Sequence, residues 1–154
     1  MITEIDDSDR KLLLLLSNDS RVSLVKLSQS LNLTPVAVGN RIRKLEEEGI
    51  IRGYRPNIEY ETLGFGYYKI FLNLSSGSSG SLTSVREYLS GQPQVLYIIE
   101  GIGLPADLDF EVAIQSPLEL GIFMRKLRTA FPGVIADYSA MMFGKQLKLQ
   151  HVPF

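Results

Sequence analysis

Asn40, Arg43 and Lys44 are the side chains in this sequence whose types and spacing are suited to hydrogen bonding and charge pairing with another molecule. They lie in "LTPVAVGNRIRKLEEEGII", residues 33–51. A helical wheel at about 100° per residue, centred on Val38, places Ile42 and Leu45 beside it on one apolar stripe. Val36, Asn40, Arg43 and Glu47 fall on the opposite side, with Ala37 and Lys44 flanking them. A carboxamide can pair with the donor and acceptor edge of adenine, and small aliphatic groups fit against the thymine methyl. Arginine and lysine meet phosphate oxygens, which orient a protein on the duplex without reading its sequence.

Other chemistries have little to work with. The chain has no cysteine and a single histidine, His151, near its end, so it offers no thiolate nucleophile, no thiolate metal site and no catalytic triad. Catalytic residues, a metal and a cofactor are not expected. The unbroken aliphatic run Leu12 to Leu16 is far shorter than the roughly 20 residues that span a bilayer. "MITEIDDSDR" is acidic where a signal peptide would be basic, which points to a cytoplasmic protein. The net charge of −1 gives no general affinity for polyanions, but the charge is unevenly placed. Arg21, Lys26, Arg41, Arg43, Lys44, Arg52 and Arg55 outnumber Glu46, Glu47 and Glu48 over residues 21–55, whereas residues 1–20 and 56–154 are each net acidic. A basic zone in a near-neutral chain suits a phosphate-bearing partner.

Three helices must position these groups. The first spans about Asp7 to Ser17, with Leu12, Leu13, Leu15 and Leu16 on a wide apolar face and acids at its positive end. Ser23 caps the second, in which Leu24, Leu27 and Leu31 repeat at helical spacing. Thr34 and Pro35 open the third as cap and first-turn proline, and Gly49 closes it. "IIRGYRPNIEY" is rich in strand formers and completes a winged helix-turn-helix pattern, with Arg52 on the wing.

The second half alternates strands and helices. Strands are expected at 66–74, 94–100 and 108–115 and in "VIADYSAMMFG", with helices in "LTSVREYLSG" and from Pro117 to about Ala130, where Ser116 and Glu119 predict a capping box. "SSGSSGSLTS" reads as a long flexible loop. The order βαββαβ implies a ferredoxin-like sheet with both helices on one face. Ile70, Leu72, Ile98, Phe110, Val112 and Met142 make its strands apolar, and a helix-free face would be covered by a second copy. "KQLKLQHVPF" could add a further strand. The expected architecture is α+β: a winged helix-turn-helix domain at 1–54, a linker at 55–65 and a βαββαβ domain at 66–154 whose sheet dimerises.

The run from Ile5-Asp6 and Asp9-Arg10-Lys11 through the "TP" step, "RIRKLEEEGII" and "GY" resembles the DNA-binding half of the Lrp/AsnC (feast/famine) regulators. The second half is similar to that family's regulatory domain in element order and in "PGV" before the last strand. The resemblance implies a transcription factor that binds double-stranded operator DNA, forms dimers or larger assemblies such as tetramers or octamers, and takes a small effector, commonly an amino acid. It matches Thr34 and Pro35 to the start of the recognition helix and Arg41, Arg43 and Lys44 to its basic positions. The candidate DNA-binding set is therefore Ser23, Thr34, Val36, Ala37, Asn40, Arg41, Arg43, Lys44 and Arg52. The chain departs from the family at the turn before the third strand, where Ala106 replaces an expected glycine and Gly103 to Pro105 are extra. Asp107 and Asp109 are the candidate effector carboxylates there: such a group can hold an ammonium or serve as a plain turn residue.

Two rival readings differ in class. One is an effector-sensing or hetero-oligomerising partner without DNA binding of its own. The other is a tetrapyrrole-processing enzyme on the same two-domain plan, as in the siroheme decarboxylases, for which a terminal His151 is poor material.

Overall fold

The computed structural model of the chain describes residues 4–77, 79–101, 105–144 and 152–153. The chain forms two compact units that divide between Asn57 and Ile58, and the tail residues Val152 and Pro153 belong to the first. No helix among the described residues is long and apolar enough to cross a membrane.

The first unit holds α1 (Asp7–Asn18), α2 (Leu24–Leu31) and α3 (Pro35–Glu47). Each begins with the cap its sequence supplies. Asp6 accepts from Asp9 N–H and Asp9 accepts from Asp6 N–H, a reciprocal capping box. Ser23 accepts from Lys26 N–H, and Thr34 accepts from Ala37 N–H ahead of Pro35. The turn between α2 and α3 rests on Asn32 in the left-handed region, φ 53°, a conformation asparagine tolerates better than most residues. Leu12, Leu16, Leu27, Val38 and Leu45 form the buried core of the three helices.

The expected wing is not a strand. Residues 50–59 form no β ladder, because Ile50 N–H and Ile51 N–H both turn back to the Leu45 carbonyl, at 2.9 and 3.0 Å, after Gly49 at φ 71°. Tyr54 then donates from its hydroxyl to Glu46 Oε1 at 3.0 Å, which holds this irregular stretch against the end of α3.

The second unit contains β1 (Gly66–Leu74), α4 (Leu82–Ser90), β2 (Val95–Ile99), β3 (Leu108–Ile114), α5 (Pro117–Ala130) and β4 (Ile135–Met142). The sheet order is β2-β3-β1-β4 and every pairing is antiparallel, the ferredoxin-like arrangement. The serine-glycine stretch reaches α4 through a 3-10 turn at Ser79–Ser81. At α5, Ser116 accepts from Glu119 N–H as a cap should, but Glu119 accepts from Gln115 N–H rather than from Ser116, so the predicted box closes one residue early. The possible strand in the tail lies outside the described residues.

Alternation along the strands separates two faces. Ile70 and Leu72 of β1 and Leu108, Phe110, Val112 and Ile114 of β3 pack with Val85 and Leu89 of α4 and with Phe123, Met124 and Leu127 of α5. The helix-side core thus absorbs most of the apolar strand residues that the sequence singled out, with Ile98 packed at its edge. Met142 shares the register of that side but is 62% exposed at the end of β4. The opposite face is mixed: Tyr67, Lys69 and Phe71 of β1 stand beside Asp109 and Glu111 of β3, with Tyr97 and Ile99 of β2 and Met141 of β4 exposed around them.

Candidate nucleic-acid interface

The inner stripe of α3 is fixed by Val38 and Leu45, both buried in the three-helix core. Fixing one side of a helix fixes the other. Val36, Asn40, Arg43 and Glu47 are all exposed on the far side, Val36 to 73%, and Ala37 is partly so at the first turn. Thr34 spends its hydroxyl on the cap at 3.1 Å from Ala37 N, and Ser23 does the same for Lys26 N at 3.3 Å. These two hydroxyls therefore serve helix starts first.

The polar groups of the outer face are not all idle. Arg43 Nη1 donates to Asn40 Oδ1 at 3.3 Å, so the carboxamide oxygen that adenine recognition would use already accepts one hydrogen bond in the free protein. Lys44 lies 3.8 Å from Glu48 one turn on, an exposed pair of little energetic weight. Arg52 is exposed on the irregular stretch after Gly49. Leu24 and Val25, which begin α2, are also exposed, at 43% and 56%. For Leu24 this departs from its helical spacing, which places it with the core residues Leu27 and Leu31.

Arg41 behaves differently from Arg43 and Lys44. Its Nη1 donates to Asp6 Oδ2 at 2.8 Å and to Asp9 Oδ1 at 2.7 Å, joining the middle of α3 to the first turn of α1. The Asp9 N–H and then the Arg41 guanidinium hold the Asp6 carboxyl below the ordinary carboxylate range, and the two carboxylates raise Arg41 further above its usual value. From the sequence alone these first-turn acids are only partners of the helix dipole.

The two candidate effector carboxylates are in unlike settings. Asp107 is exposed before β3, and its Oδ2 accepts from Leu74 N–H at 2.7 Å while its own N–H donates to the Leu72 carbonyl. Asp109 is fully buried on the helix-free face, with Lys69 Nζ at 3.4 Å. Lys69 also lies 3.8 Å from Glu111, which accepts a hydrogen bond from the Tyr67 hydroxyl. Burial first, and then the neighbouring carboxylate, push the Tyr67 phenol well above its ordinary value.

Comparison with known proteins bears on this geometry. Residues 5–52 match the family model described as winged helix-turn-helix DNA-binding. The chain is 43% identical over 129 residues to an uncharacterised HTH-type transcriptional regulator of Pyrococcus furiosus, 80% of each chain being covered. An AsnC family transcriptional regulator from Agrobacterium tumefaciens superposes with a TM-score of 0.83 at 23% identity, over 97% of both chains. The chain belongs to the Lrp/AsnC family. As a regulator of this type it binds DNA through its helix-turn-helix domain, despite the missing wing strand. A Neisseria meningitidis transcriptional regulator solved with L-methionine shares the fold of this Lrp/AsnC chain, with a TM-score of 0.79 at 21% identity over 95% of this chain and 94% of that one.

Proposed function

We propose that this Lrp/AsnC regulator reads operator DNA with the outward face of α3 and does so as a homodimer. The observation that carries the reading is the opposition on one helix of a buried stripe, Val38 and Leu45, to an exposed row of Val36, Asn40, Arg43 and Lys44. Asn40 addresses a base edge, Val36 and Ala37 face thymine methyls, and Arg43, Lys44 and Arg52 address phosphates. A single copy offers few cations beside Glu46, Glu47 and Glu48, so two copies on a two-fold site supply the phosphate contacts that one lacks.

The second copy meets the helix-free sheet face. Tyr97, Ile99 and Met141 are 52%, 38% and 48% exposed there, around a fully buried Asp109. Apolar groups of this size on one open face favour association with an identical face. An amino-acid effector is part of the reading, supported by the methionine-bound relative. Asp107 is the exposed carboxylate suited to its ammonium group, whereas Asp109 is fully buried with Lys69 Nζ 3.4 Å away. No reaction is assigned to the chain.

Selection of random duplex DNA on the purified full chain tests the reading. A retained palindrome with half-sites about one helical turn apart, or a multiple of it, is the expected result. Retention without enrichment of any sequence, in the presence and absence of amino acids, would overturn operator reading and favour the partner-protein alternative.

A further inference from the structure

We propose that Arg41 is a positioning residue that sets the pitch of α3 from the N-terminal cap of α1, and not one of the phosphate contacts. The inference rests on the reading of α3 as the recognition helix. Asp6 and Asp9 each commit one carboxylate oxygen to the reciprocal cap, Asp6 Oδ1 to Asp9 N–H at 2.8 Å and Asp9 Oδ2 to Asp6 N–H at 3.3 Å. Their two remaining oxygens converge on a single nitrogen, Arg41 Nη1, at 2.8 and 2.7 Å. The cap of one helix is thereby the socket for a side chain of another.

Burial decides where the guanidinium stays. Asp9 is only 4% exposed. Drawing Arg41 out to a DNA phosphate would leave that carboxylate buried without its cation, which is a strongly unfavourable state. The phosphate would gain little, since the positive charge of Arg41 already lies against two carboxylates at 2.8 and 2.7 Å. Leu12, Leu16, Val38 and Leu45 hold α1 and α3 in one core, but apolar packing has no direction of its own. Two charge-assisted hydrogen bonds to one atom do, and they tie the first turn of α1 to a point one residue beyond Asn40.

Full-length Arg41→Met and Asp9→Asn variants test the proposal in two ways. Backbone residual dipolar couplings of the variants should show α3 turned or splayed relative to α1. Binding should be followed against a duplex selected by the wild-type protein and against a random duplex, across a salt series. Affinity for the selected duplex should fall about tenfold or more, the scale of one lost base contact. Affinity for random duplex, and the slope of log K on log salt, should stay as in the wild type. Asp9→Asn should lose specificity in the same way even though it removes a negative charge, a change that electrostatics alone would reward. A mere loss of stability would not separate the two duplexes. Equal loss on both duplexes in Arg41→Met, with the salt slope reduced by about 0.9, would make Arg41 a phosphate contact and overturn the proposal. Unchanged couplings would overturn it as well. A wild type that selects no sequence would instead defeat the recognition reading of α3, and the couplings alone would then judge the clamp. Should Arg41→Met fail to fold, the isosteric Asp9→Asn carries both measurements.

Discussion

At the scale of the residue, the same helix shows three arginine and lysine positions with different fates. Arg43 and Lys44 lie far from the buried stripe and stay on the surface, whereas Arg41 lies only about 60° from Val38 on the wheel. That angle was legible in the sequence, and so were the acids at Asp6 and Asp9. Their meeting was not, because it depends on how α1 crosses α3. Asn40 makes the sharpest residue-scale test. Asn40→Ala should cost about 1 to 3 kcal/mol on the selected operator and almost nothing on random duplex, as measured by competition binding. Tyr67 gives a pH prediction. Its folded pKa is raised above the unfolded value of 10.0, so its contribution to stability is intact below that value and is lost as pH rises beyond it toward the folded one. Stability against denaturant, followed from pH 8 to 11, should therefore fall for the wild type, and Tyr67→Phe should flatten that decline.

At the scale of the element, the helix starts were the most readable feature. Thr34-Pro35, Ser23 and Ser116 each cap where their residue types say they should. Such signals are local, so nothing distant can contradict them. The stretch 50–59 misled because strand-forming side chains make a strand only when a neighbouring strand supplies hydrogen bonds, and here the Leu45 carbonyl takes the first two N–H groups instead. The strand faces were likewise unreadable until register placed Phe110 toward the helices and Asp109 away from them. Gly39 in mid-α3 offers an element-scale prediction. A Cβ there would meet Leu24 Cδ1 at 3.9 Å, an ordinary contact. Gly39→Ala should therefore stabilise the helical unit by about 0.5 to 1 kcal/mol, measurable as a higher denaturation midpoint, since alanine restricts the unfolded chain and favours the helix.

At the scale of the whole molecule, the proposed function rests on repetition of a unit that is modest by itself. The helix-free face carries its charges at the centre, Lys69 with Asp109 and Glu111, and its larger apolar groups around them. A centre of this kind costs desolvation when covered, and the surrounding side chains must outweigh that cost. Ile99→Glu should leave the helix-side core untouched, yet convert the protein to monomers in sedimentation and weaken operator binding. Monomers that still bind a two-fold operator at wild-type affinity would count against this face as the route to the two-copy complex.

The aromatic inventory has a practical use. The chain has seven tyrosines and no tryptophan. Tyr54, at the end of α3, is hydrogen-bonded to Glu46, while Tyr67 and Tyr97 belong to the helix-free face, where Tyr67 stacks on Phe143 with ring centroids 4.6 Å apart. Near-ultraviolet spectra of this protein are therefore tyrosine spectra, free of a dominating indole. A single tryptophan introduced at Tyr97 would add an emission all its own, whose colour reports whether the open face of the sheet is wet or dry.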